Sequence, residues 1–171
     1  MTVVTVAIAS SHDDTAAPGP PGCRTEIQAR ASAQSAPQFR APGLRGGCVD
    51  LNAYAGRPIV VNFWASYCHP CRQEFPLFRR ALRRYRETGL QVIGVSHDDI
   101  DSDAIAFADE FGATWPLSRD PDGAIADAYV LAPPGIPQSF FVRRDGTISA
   151  HLFGDPTTSE LNREIKKIVA S

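Results

Sequence analysis

At 171 residues the chain suits one domain with a packed core and a tail. Hydrophobic residues make up 43% and charged residues 21%, with a formal net charge of -2, which excludes a wholly disordered chain and a nucleic-acid-binding polycation. The N-terminus carries VVTVAIA (Val3–Ala9), an apolar run with no Lys or Arg before it. A bilayer span needs roughly 20 apolar residues and a signal peptide needs a basic leader. As written the run is neither; it reads as the trimmed remnant of an export signal or membrane anchor, or as a plain apolar end. The Pro-, Gly-, Ala- and Ser-rich stretches that follow have no sustained period and read as a solvated linker, mostly irregular over residues 10–36. The expected division is therefore a tail and linker over 1–36 and a folded domain over 37–171.

Regular pattern begins after Ala53. PIVVNF (58–63) is a nearly continuous β-branched and apolar run, which suits a parallel strand covered on both faces. Phe75, Phe78, Leu82 and Tyr85 then recur at helical spacing, with six arginines from Arg72 to Arg86 on the other positions. LQVIGVS (90–96) is a second buried strand, so strand, helix and strand form a right-handed parallel crossover. A helix over about 101–111 opens with Asp101 and Ser102 as capping candidates and closes at Gly112. A short helix near 123–129 precedes QSFFV (138–142), and the Asp145-Gly146 turn returns TISAHLF (147–153) antiparallel. Thr157 and Glu160 form a capping box for a last helix that buries Leu161, Ile165, Ile168 and Val169. This order is an α/β thioredoxin fold: a central mixed β-sheet flanked by helices, with an N-terminal extension and an inserted helix between the central strands.

The chemistry lies in NFWASYCHPCRQE (62–74), where Cys68 and Cys71 stand at a strand-to-helix junction. Unpaired N–H groups and the positive end of a helix dipole favour the thiolate there. Three-residue spacing lets Cys68 stand exposed as nucleophile while Cys71, one turn in and more shielded, resolves the mixed disulfide. Pro70 has no N–H to leave unpaired at the first turn, and Pro76 is expected to kink the helix. A zinc site wants four ligands, and there is no second C-x-x-C. A passive staple across so short a loop would stabilise little.

FWASYCHPCRQEFP resembles the active-site segment of the thioredoxin superfamily, in the form of its TlpA/ResA-like extracytoplasmic thiol-disulfide oxidoreductases. GIPQSFFVRRDGTI is similar to that family's cis-proline loop and strand pair, and DPDGAIADAY to its inserted helix. The resemblance covers about residues 37–169. It implies that Cys68 attacks, Cys71 resolves, and a cis Ile136–Pro137 bond presents a backbone edge to substrate. Trp64, Tyr67, His69 and Pro70 then line the active-site loop, and Glu74 tunes the thiols. Asn62 stands where ordinary thioredoxins bury an aspartate, which leaves Glu74 as the proton acceptor for Cys71. Tyr67 replaces a common second tryptophan. His69, as a nearby cation, would favour the Cys68 thiolate and a more oxidising couple.

With four cysteines in a chain that looks exported, a structural Cys23–Cys48 disulfide is expected, and it would close a 25-residue loop. Cys23 lacks the surroundings of a lipid-attachment site. The arginine-rich helix face reads as solvated surface. The reading is a monomeric oxidoreductase outside the cytoplasm, with no cofactor beyond the Cys68–Cys71 pair and no nucleic-acid partner. Its substrates are disulfide- or dithiol-containing proteins; the resemblance implies apocytochrome c among them, with a membrane thiol carrier as electron source. The alternatives are an oxidase that introduces disulfides into exported proteins, and a redoxin-type thiol peroxidase, whose Pro-x-x-x-Thr/Ser-x-x-Cys pattern lacks its proline before Cys68. A binding module without chemistry would be expected to have lost a cysteine or Pro137, and both are retained.

Overall fold

The computed structural model describes residues 22–171 other than 29, 31 and 132–134, so the Val3–Ala9 run and the first part of the expected linker lie outside the described residues. Five strands form the central sheet: β4 (Ile59–Trp64), β5 (Gln91–His97), β6 (Leu117–Asp120), β7 (Gln138–Val142) and β8 (Ile148–Phe153). Their spatial order is β6-β5-β4-β7-β8. The first three run parallel, and β7 and β8 are antiparallel to their neighbours. Among the described residues four α-helices connect or flank them: α1 (Cys71–Arg84), α2 (Asp101–Glu110), α3 (Ala124–Tyr129) and α4 (Thr158–Val169). The mixed sheet and flanking helices are the expected α/β arrangement.

Every residue of β4 is buried, as a run covered on both faces requires. Its period of two divides the core. Val60 and Trp64 join Phe75 and Phe78 of α1, Phe107 of α2, and Leu161, Ile165 and Ile168 of α4. Ile59, Val61 and Phe63 face the other way, against Ile125 and Tyr129 of α3 and the N-terminal residues Phe39, Ala41 and Val49. On the first side an aromatic cluster seats the start of α1: Phe75 lies 4.7 Å from Trp64, 5.0 Å from Phe107 and 5.1 Å from Trp115, centroid to centroid. Such pairs add about 0.5–1.5 kcal/mol each beyond their buried area. Gly94 is needed beneath it, because a Cβ there would meet Leu117 at 2.5 Å and the Trp64 indole nitrogen at 3.0 Å.

Three features differ from the sequence expectation. The stretch expected to be irregular up to residue 36 contains β1 (Glu26–Gln28), which pairs with β2 (Gln38–Pro42), itself paired with β3 (Cys48–Asp50). The side chains of β1 are all exposed, so its order comes from backbone pairing and leaves no apolar period in the sequence. A disulfide joins Cys23 to Cys48 at the start of β3. The short strand β6 was not read either; with α3 it makes up the insertion, and it pairs only with β5 in the central sheet. Finally, Ile100 and not Asp101 or Ser102 stands at the N-cap of α2, with no side-chain cap. Asp101 lies inside the first turn and pairs with Arg119 of β6 at 3.0 Å.

The remaining boundaries follow their local signals. Pro76 lies inside a continuous α1. Thr157 accepts from the Glu160 N–H while the Glu160 carboxylate accepts from the Thr157 N–H, completing the capping box of α4. Among the described residues no helix is long and apolar enough to cross a membrane. Replacing Cys23 and Cys48 together by serine is expected to lower the unfolding free energy by on the order of 3 kcal/mol, since the unfolded chain regains the freedom of a closed loop. Denaturant unfolding with Cys68–Cys71 oxidised reads this directly; an unchanged midpoint would show that the ladder alone holds the N-terminal sheet.

Candidate active site

Strand β4 ends at Trp64 and the chain loops over six residues before α1 begins at Cys71. Cys68 and Cys71 are joined as a disulfide with Cα atoms 5.4 Å apart. The Cys71 N–H at the helix start is shared between the Cys68 carbonyl, at 3.2 Å, and the Cys68 sulfur, at 3.3 Å. Cys68 keeps 5% of its surface exposed and Cys71 none. The sulfur nearest solvent is therefore also the one facing the helix N-terminus, where negative charge is stabilised.

Trp64 is fully buried and forms the floor of the loop, whereas Tyr67 is 64% exposed and His69 is exposed beside the pair. Partial burial, then Asp98 and Asp99, raise the Tyr67 hydroxyl above its ordinary value. The loop is fastened from the side by Asp99. Its carboxylate accepts from the Ser66 N–H at 2.5 Å, the Ser66 hydroxyl at 2.7 Å, the Ile100 N–H at 2.8 Å and the Ser96 hydroxyl at 3.4 Å. Asp99 was missed in the sequence; the available signal was a polar pair just beyond the carboxyl end of a parallel strand, where functional loops of open α/β sheets collect.

The second wall is the loop before β7. Phe63 is the register partner of Gln138, so Ile136 and Pro137 lie at the same end of the sheet as Trp64 and the cysteine loop. The Ile136–Pro137 bond is cis. The Pro137 carbonyl accepts from the Gly154 N–H at 2.9 Å. The Gln138 amide donates to the Gly135 carbonyl at 2.6 Å, and its oxygen lies 2.7 Å from His151 Nε2. Ile136 packs against the core cluster that contains both cysteines.

Glu74, one turn into α1, is only 1% exposed. Asn62 of β4 donates to one of its oxygens at 3.0 Å, and Ser139 of β7 donates to the other at 3.4 Å. Burial pushes the carboxyl up to about 8; the two donors pull it down and the Asp155 charge pushes it up, both to lesser extents. Ser139 was not singled out in the sequence, and Asn62 appeared there only as a substitution. The structure thus gathers Trp64, Tyr67, His69, Pro70, Cys68, Cys71 and Glu74 on one junction, with Ile136 and Pro137 at the same sheet end. Cys48 instead starts β3 of the N-terminal sheet, and Cys23, ahead of β1, is joined to it. Among the described residues no three His, Cys, Asp or Glu side chains converge as a metal-ligand set.

Comparison with known proteins agrees with this geometry. Residues 32–151 match the AhpC/TSA family. The chain is 29% identical over 135 residues to the thiol-disulfide oxidoreductase ResA of Bacillus thuringiensis subsp. konkukian, covering 79% of this chain and 77% of that one. It is 28% identical over 144 residues to the ResA of Geobacillus kaustophilus, covering 84% and 82%. A crystal structure of a thiol:disulfide interchange protein DsbE from Chlorobium tepidum superposes with a TM-score of 0.74 at 30% identity, over 82% of this chain and 99% of that one. The chain belongs to the AhpC/TSA family of the thioredoxin superfamily; it is a thiol-disulfide oxidoreductase similar to the ResA proteins, an activity that implies disulfide-containing protein substrates.

Proposed function

We propose that Cys68 and Cys71 form the redox couple with which this protein reduces disulfides in proteins outside the cytoplasm. The observation that carries the reading is the Cys68–Cys71 disulfide at a helix start, one turn from a buried carboxyl held near neutrality. In the reduced protein the Cys68 thiolate attacks one sulfur of a substrate disulfide, forming a mixed disulfide and expelling the other substrate sulfur as thiolate. Glu74 holds a proton below about pH 8, and once that proton has left, its carboxylate takes the proton of Cys71. The Cys71 thiolate attacks the Cys68 sulfur, closing the internal disulfide and releasing the second substrate thiolate. Two electrons have passed to the substrate, and the proton on Glu74 leaves to solvent. The two sulfurs supply all the redox chemistry, so no cofactor is required.

Ile136 and Pro137 supply the backbone edge along which an extended substrate segment lies. Tyr67 and His69 form the exposed rim beside Cys68 and meet that segment first. The TlpA/ResA likeness supports paired cysteines of apocytochrome c as the substrate and a membrane thiol carrier as the source of electrons. The protein works as a monomer, delivered by an N-terminal segment that precedes the folded domain.

Cys71→Ser is expected to stall at the mixed disulfide, so that incubation with a disulfide-bonded peptide yields an adduct at Cys68 visible by non-reducing mass spectrometry. Cys68→Ser should yield none; an adduct forming only in Cys68→Ser would reverse the two roles. A second expectation concerns pH. Folding raises the Glu74 carboxyl from 4.5 to about 8, so in that window the folded chain holds a proton that the unfolded chain releases. Its contribution is fully present below 4.5 and is lost as pH rises through about 8. Thermal unfolding of the oxidised protein should show Glu74→Gln gaining on wild type as pH rises across this window. Parallel curves would show that Glu74 titrates normally.

A further inference from the structure

Three buried polar side chains meet beneath the first turn of α1, and only one of them has been given a role. Asn62 and Ser139 are direct register partners across the β4–β7 pair, and neither has any exposed surface. They occupy the sheet face that β4 otherwise fills with Val60 and Trp64 and β7 with Phe141. An amide and a hydroxyl at these positions cost desolvation that apolar side chains would not. Their hydrogen bonds show what they are used for.

Asn62 Nδ2 has two hydrogens, and both are engaged: one on Glu74 Oε2 at 3.0 Å, the other on Ser139 Oγ at 3.1 Å. The single Ser139 hydrogen then goes to Glu74 Oε1 at 3.4 Å. Each carboxylate oxygen thus receives one neutral donor. Asn62 Oδ1 is buried and has no hydrogen-bond partner. We propose that Asn62 and Ser139 are positioning residues for disulfide exchange, holding Glu74 in place as it accepts and releases the Cys71 proton. The proposal rests on the assignment of Glu74 as that acceptor.

The amide suits the task because its two ends match the two protonation states. Nδ2 donates to the carboxylate. Once Cys71 has transferred its proton, the S–H bond is broken and an O–H bond stands on Glu74, which needs an acceptor. A half-turn of the Asn62 amide presents the orphaned Oδ1 to it. Leucine would serve neither state, and aspartate would set a second carboxyl against the first. No other charge disturbs the exchange from the sheet side, since β4 and β7 offer only these neutral groups. The charged residue that acts on Glu74 is Asp155, from the segment after β8, and the titratable neighbour on its own helix is Cys71, three residues earlier.

The test is a carboxyl titration of Glu74 by carbon-detected NMR in the oxidised full chain, paired with the pH profile of mixed-disulfide resolution. Ser139→Ala removes one donor to the carboxylate, and the Glu74 titration is expected to move up by about one pH unit, as one charge-assisted hydrogen bond is lost. The resolution profile should move with it. Formation of the mixed disulfide by Cys68 should not. Ser139→Thr, which keeps the hydroxyl, should restore both; Asn62→Leu should move them further than Ser139→Ala, but the serine pair decides the matter if that variant does not fold. A titration that stays in place in Ser139→Ala overturns the proposal and leaves Glu74 as the acceptor. A Glu74→Gln protein that resolves with the wild-type pH profile overturns the acceptor assignment, and the catalytic use of Asn62 and Ser139 with it.

Discussion

Glu74 is carried into the interior by the same helical face that seals the active-site cysteine. Cys71, Glu74, Phe75 and Phe78 fall at helical spacing and are all buried, so α1 cannot dock without taking a carboxyl down with it. A buried carboxylate is tolerated only with donors on its oxygens, and Asn62 and Ser139 supply them from the sheet. The packing that fixes the helix start thereby fixes the protonation chemistry under it. Moving α1 away from the sheet would expose Cys71 and return the Glu74 carboxyl to water together.

The rest of the molecule serves to keep that helix start in place. The Trp64, Phe75, Phe107 and Trp115 cluster wedges α1 between β4 and α2. Arg72 reinforces the contact, with its guanidinium over the Phe111 ring at 4.8 Å and an ion pair to Glu110 at 2.6 Å. Asp99 fastens the loop ahead of the cysteines, and the Gln138 amide and Gly154 N–H fasten the loop opposite. Behind the sheet, the N-terminal strands and α3 bury the other face of β4. The outward face of α1, with Arg79, Arg80, Arg83 and Arg84, lies outside these contacts with the sheet, in keeping with a solvated surface.

Much of this was legible in the sequence because it rests on strong local signals. Continuous β-branched runs gave β4 and β5, helical spacing gave α1 and α4, and Asp145-Gly146 gave the β7–β8 turn. The burial of Glu74 was also legible in principle: it lies three residues after Cys71 and four before Phe78, on the apolar side of the helix. What escaped depends on tertiary contact. Strand β1 has no buried side chain, β6 is four residues long, and neither leaves a period to read. Asp99 and Ser139 act on residues 33 and 65 positions away, so only the folded chain joins them to Ser66 and Glu74.

The proposed chemistry links the Glu74 proton to the Cys68–Cys71 disulfide. Reduction places a titrating thiol at Cys71 one turn from the carboxyl, and each negative charge then disfavours the other. The direct measurement is the reduction potential of the pair as a function of pH, in wild type and in Glu74→Gln, with Cys23 and Cys48 replaced by serine in both. Above about pH 8 the wild-type potential should fall more steeply than that of Glu74→Gln, because its reduced form retains more protons. Two parallel lines across the whole range would contradict the linkage and leave Glu74 a buried structural carboxyl.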